Sequence, residues 1–190
     1  VEVVGNGILK LSGSAPLRWI LHAKQIARTV PGIQDVDTEG ITDPRMPTLL
    51  TLRQEVEAAI VEFPLGKDLP VPEDLPKLEK TVDTLIMLES LARDMGISAS
   101  LAVYGYADAS GKDKRNFELG QARARMLAAM LYARGSKLPI TVYGMSAEFA
   151  AQHVHADSTS DFPSRRLELR IHLAQQPQDV LESLEKTSLP

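Results

Sequence analysis

Cysteine is absent from the 190 residues, which leaves no disulfide framework and no thiol nucleophile. The absence suits an exported chain, where stray thiols are a liability, and suits a cytosolic chain equally well. No run of 18 apolar residues occurs, so no stretch reads as a membrane-spanning helix. An excess of one charge sign is missing too. Twenty-one Lys and Arg stand against 25 Asp and Glu, interspersed for a net charge of −4, which argues against nucleic acid as the main partner. Catalytic signatures are lacking: there is no Gly-x-Ser-x-Gly, no H-E-x-x-H, no P-loop and no dinucleotide fingerprint. Glu73 and Asp74 lie in a proline-rich stretch, too exposed and mobile for a tuned carboxylate pair. The expectation is a binding protein, not an enzyme, with no cofactor. A start at Val1 without a signal-peptide pattern reads as a processed or truncated fragment with room for an anchor upstream.

What is present is enough apolar material, 44% of residues, to bury a core in one medium domain or two small ones. In residues 1–43, β-prone runs at Val1–Val4 and Ile8–Leu11 flank the turn signal Gly5-Asn6-Gly7. Pro16 then opens a helical pattern that Pro31-Gly32 stops, with Trp19 read as a core residue. Ile33–Val36 reads as a third strand. This strand–helix–x-P-G-I-x-x-V-D order resembles one BON repeat, whose leading helix would precede Val1, and a protein partner is expected through residues 1–43.

Residues 44–52 carry two prolines and read as a linker; Glu55–Phe63 alternates and reads as a strand ending at Pro64. Pro64, Pro70, Pro72 and Pro76 exclude regular structure across that stretch. Leu75–Met95 is helical by its apolar spacing and closes at Gly96. Ser100–Tyr106 reads as a strand, Lys114–Arg134 as a helix closed by Gly135, and Ile140–Tyr143 as a strand. Arg165–Leu173 alternates cleanly, with Leu167, Leu169, Ile171 and Leu173 on one side. The tail from residue 175 has a short helical pattern around Val180, Leu181 and Leu184. The expected class is α+β, with helices on one face of a sheet.

The strand–turn–helix at 103–126 carries the chemistry. At 100° per residue Arg123 lies about 40° from Leu119 and about 60° from Met126, inside the face that should be buried. A guanidinium there needs compensation, and Asp108 at the end of the preceding strand is the natural partner. One acid and one base at the lip of a strand–helix unit suit a zwitterion: the carboxylate takes an ammonium and the guanidinium takes a carboxylate. The turn before the helix, from Ala107 to Gly111, adds backbone N–H groups for an anion. The same two residues also read as an internal ion pair stapling strand to helix.

The spacing G-x-x-D-x-x-G-x(4)-N-x-x-L-x-x-x-R-A resembles the core motif of the OmpA-like peptidoglycan-binding domain. The run Ser164-Arg165-Arg166-Leu167-Glu168-Leu169-Arg170-Ile171 is similar to that family's closing strand, and the likeness extends over residues 53–174. It implies a β-α-β-α-β-β mixed sheet and non-covalent binding of peptidoglycan through the meso-diaminopimelate of its stem peptide. The family's aspartate and arginine fall on Asp108 and Arg123, its asparagine on Asn116, and its leucine on Leu119. Ala107, Ser110 and Gly111 complete the expected site, with Arg165 as a further candidate. The implied setting is the periplasm of a Gram-negative-type bacterium, attached to the outer or inner membrane through an upstream segment. Departures from the motif are Tyr106-Ala107 for its usual His-Thr, Ser164 for asparagine, and Gly120 for serine inside a helix. They keep open a competing reading, a protein-interaction scaffold that has lost the cell-wall ligand. Arg165 and Arg166 read first as structural, one paired to an acid across the sheet and the other solvated. His153, His155 and Asp157 offer two metal ligands without a defined third, so no metal is expected.

Overall fold

The computed structural model describes residues 1–107, 113–145 and 165–175. Two sheets organise them. In the first, β1 (Glu2–Val4) and β2 (Ile8–Ser14) pair antiparallel around the Gly5–Gly7 turn. Helix α1 (Leu17–Ala27) then carries the chain to β3 (Asp35–Thr42), which lies parallel to β2. Its core is small: Leu11, Ala27 and Val36, with Leu9, Ala23, Ile33 and Ile41 packed around them. A single short helix over three strands leaves much of its own circumference uncovered. Trp19, expected in the core, is 51% exposed, because α1 turns Leu17, Ile20 and Ala27 inward instead.

The second sheet has the order β4-β7-β5-β6. Strand β4 (Val61–Glu62) leads through α3 (Leu75–Met95) to β5 (Ile97–Tyr106). Helix α4 (Asp113–Ala133) then leads to β6 (Ile140–Met145), and β7 (Arg166–Gln175) inserts antiparallel between β4 and β5. This is the expected β-α-β-α-β-β mixed sheet. Leu101, Val103, Leu167, Leu169 and Ile171 meet Leu78, Val82, Leu85, Leu88, Leu127 and Leu131 of α3 and α4 in one buried core. The alternation read in residues 165–173 holds on that side. Gly96 ends α3 in the left-handed region at φ 77°, where a Cβ would be strained.

Residues 46–57 differ from expectation. The stretch read as linker and strand is helix α2 (Met46–Glu57), and β4 keeps only two residues. Pro47 sits in the first turn, where backbone N–H groups lack an intrahelical acceptor, so it starts the helix and does not break it. Leu49 and Val56, seven residues apart, are fully buried in the large core. At the end of α2 the Glu57 carboxylate accepts the Ile171 N–H at 2.8 Å, satisfying an edge donor of β7 that short β4 leaves open.

Asp43, just after β3, fastens the start of α1 to Arg45, the residue that precedes α2. Its side chain, 1% exposed, accepts the Leu17 N–H at 2.8 Å at the start of α1. It also accepts the Arg45 N–H at 3.0 Å and the Arg45 guanidinium at 3.0 and 2.7 Å. Arg18 donates to the Arg93 carbonyl at 2.8 Å, and Leu17 belongs to the large core. The side-chain bonds from Arg45 foremost, with the Arg45 and Leu17 N–H groups, outweigh burial and hold the Asp43 carboxyl well below the usual carboxylate range. A depressed folded-state pKa contributes stability above the unfolded value, near 3.8. That stability fades as pH falls towards the folded value. Urea unfolding of the wild type should therefore lose stability more steeply from pH 5 to pH 2.5 than Asp43→Asn. At neutral pH the variant should be weaker by about 2 kcal/mol. Equal acid slopes for the two proteins would remove Asp43 from this role.

Candidate functional site

The ends of three strands meet at one edge of the second sheet. Because β7 runs antiparallel to both β4 and β5, its start at Arg165–Arg166 lies beside the ends of β4 and β5. The first half of α4 packs over the same edge, and its approach is set by three glycines. A Cβ on Gly105 would collide with the Gly120 carbonyl, one on Gly120 with the Gly105 carbonyl, and one on Gly144 with the Phe117 carbonyl. Gly120, a departure from the motif's serine, is what lets α4 lie directly on β5 and β6.

Arg123 follows on the same stripe of α4 as Asn116 and Gly120 and is fully buried, as its position in the apolar face predicts. Among the described residues its guanidinium bonds three backbone carbonyls. Nε donates to the Lys67 carbonyl at 2.8 Å, Nη1 to the Tyr106 carbonyl at 2.6 Å and Nη2 to the Pro64 carbonyl at 3.1 Å. The face of Phe63, 4.8 Å away, covers it. Three carbonyl dipoles and a ring quadrupole thus help offset the buried charge, beyond the carboxylate the sequence named. The planar fork ties the segment after β4 to the last residue of β5.

Arg165 reinforces the same segment. Phe63 N–H donates to the Arg165 carbonyl at 3.0 Å, and Arg165 Nε returns a bond to the Phe63 carbonyl at 3.0 Å. Asn116 is 6% exposed and Ala107 is 7% exposed; Leu119 is half-buried. Asp108, Ser110 and Gly111 lie outside the described residues, as do Ser164 and the His153, His155 and Asp157 group. Among the described residues no cluster of three His, Asp or Glu side chains suits a metal ion. No described helix is long and apolar enough to cross a membrane.

The structure thus brings Ala107, Asn116, Leu119, Arg123 and Arg165 to one edge of the sheet. Its position there also shows what the sequence missed: Phe63, Pro64 and Lys67 take part through main-chain oxygens and a ring. No pattern of residue types marks a carbonyl as an acceptor, and only the aromatic Phe63 before Pro64 was visible.

The second arginine differs from its expected role. Arg166 is buried, not solvated: it is 8% exposed, and among the described residues it binds Glu168, two residues along its own strand, at 3.1 and 2.5 Å. Successive even-numbered residues of β7 share a face, so the acid is within reach without crossing a strand. The guanidinium lies 4.2 Å over the Tyr106 ring, whose hydroxyl donates to Glu168 at 3.1 Å. Burial, and then the Glu168 charge, push the Tyr106 hydroxyl up to about 12, so it stays a neutral donor.

The chain matches no protein-family model and no curated protein sequence. Among solved structures it is similar to the peptidoglycan-associated lipoprotein from Burkholderia pseudomallei, at 17% identity and TM-score 0.45, over 62% of this chain and 93% of that one. It is similar to a periplasmic domain of Helicobacter pylori MotB, at 15% identity and TM-score 0.44, over 68% and 88%. A third is the cell wall anchor of the T6SS from Pseudomonas aeruginosa, at 21% identity and TM-score 0.41, over 61% and 80%.

Proposed function

We propose that this chain is a non-covalent peptidoglycan tether that grips the meso-diaminopimelate of the stem peptide. Asp108 accepts the ammonium of the amino acid. Its carboxylate is held by N–H groups of the turn before α4, with Ala107, Ser110, Gly111 and Leu119 lining the site and Asn116 orienting it. Arg123 supplies the positive charge at the end of β5, and Arg165 lies at the same edge of the sheet. The observation that carries the reading is the Arg123 fork, which joins the end of β5, next to Ala107, to the segment after β4. Affinity per site is modest, since charge contacts largely replace hydration, and repetition along the polymer supplies retention. The tether works in the periplasm, anchored through an upstream segment, and residues 1–43 dock a protein partner. The exposed Trp19 and Ile26 on α1 support that last role.

The same fork favours one competing reading. A guanidinium committed to three internal carbonyls is what a scaffold without a cell-wall ligand also needs. Co-sedimentation with diaminopimelate-type sacculi separates the two. Wild type should pellet, while Asp108→Ala, with an unchanged circular-dichroism spectrum and melting temperature, should stay in the supernatant. Equal pelleting, or none for either protein, leaves the scaffold.

A further inference from the structure

The face of the second sheet turned away from α3 and α4 carries a feature the stem-peptide site does not use. Tyr104 of β5 and Tyr143 of β6 stand opposite each other in register and stack, with ring centroids 4.9 Å apart and planes 12° from parallel. Tyr143 is 40% exposed, and β6 is the edge strand among the described residues, so no described strand lies beside its ring face away from Tyr104. One step down the strands, Ala102 lies between Arg170 of β7 and Thr141 of β6. Strand spacing makes that a span of about 10 Å floored by one methyl group. Arg170 is 51% exposed at its side chain and lies 4.0 Å from Glu168.

The chemistry of this face is selective. Glu62 and Glu168 oppose a polyanion, and Arg166 and Arg170 oppose a polycation. The described aliphatic side chains on this face are Ala102, the buried Met145 and, at the far end, Ala174, too little apolar surface to seat an apolar helix. Aromatic ring faces beside hydroxyls and planar charged groups instead match a neutral, hydroxyl-rich ring with one apolar C–H face. We propose that this face binds the glycan backbone, a β-1,4-linked N-acetylhexosamine chain. A pyranose stacks on Tyr143, while Arg170, Glu168 and Thr141 bond its hydroxyl and acetamido groups. The inference rests on the peptidoglycan reading above and adds a second point of grip. Tyr106, packed on Arg166, joins the two along β5.

A stem-peptide-free probe separates this proposal from the first. The tetramer of β-1,4-linked N-acetylglucosamine should bind the wild-type chain saturably by calorimetric titration. Tyr143→Ala should weaken it by about tenfold and Tyr143→Phe by less than about threefold, since the ring and not the hydroxyl stacks. Asp108→Ala should bind the tetramer as wild type does, even where it fails to pellet with sacculi. No saturable binding by wild type, or equal binding by Tyr143→Ala, overturns the proposal. So does self-association that Tyr143→Ala abolishes while the tetramer has no effect.

Discussion

Arg123→Ala is expected to lower unfolding stability by on the order of 4 kcal/mol. The side chain is fully buried, so truncation leaves a void, strips the Pro64, Lys67 and Tyr106 carbonyls of charged donors and uncovers Phe63. Arg123→Lys keeps the charge and should recover about half of the loss, because a point-like ammonium cannot span three diverging acceptors as a planar fork does. Urea unfolding followed by circular dichroism measures both. A loss below about 1 kcal/mol for Arg123→Ala would mean that the carbonyl clamp does not hold the segment after β4. The magnitude bears on function as well. Failure of Arg123→Ala to pellet with sacculi would report a damaged fold, which is why Asp108 is the cleaner probe.

Gly120→Ala should be destabilising by on the order of 3 kcal/mol, although the same change in an exposed helix interior stabilises by up to about 1 kcal/mol. The sign reverses because the new methyl would collide with the Gly105 carbonyl and stand 3.0 Å from the Met145 N–H nitrogen, both main-chain atoms of paired strands. Relief requires α4 to lift from β5 and β6, which moves Asn116 and Arg123 together. Gly105→Ala meets the same contact from the strand side. The double variant should therefore cost less than the two single losses added. Thermal unfolding of the three variants tests this; a Gly120→Ala protein as stable as wild type would show that the helix does not seat on the glycines.

The two long helices were legible because their apolar spacing runs over five or more turns and each ends at a glycine. Strand β7 was legible because Leu167, Leu169 and Ile171 alternate with Arg166, Glu168 and Arg170. Helix α2 was not. Its proline, Pro47, is the same letter whether it breaks a helix or opens one, and only the helix's docking on the core distinguishes the cases. Trp19 was misread for a related reason: a large aromatic is core only where enough structure surrounds it, and three strands and one helix do not supply that.

At the site, the burial of Arg123 followed from its angular position on α4, a local property of the chain. Its described carbonyl partners did not, since carbonyl oxygens belong to every residue and become acceptors only through the path of the backbone. Gly120 was visible as an anomaly, and its purpose appeared only against Gly105 and Gly144. Periodicity, turn residues and the order of charged positions thus determined the two long helices, strand β7, their order and the burial of Arg123. Which dipoles neutralise the buried cation, how closely helix meets strand and what the far side of the sheet presents depend on contacts between residues remote in the chain. Those contacts arise from packing, which no local pattern records.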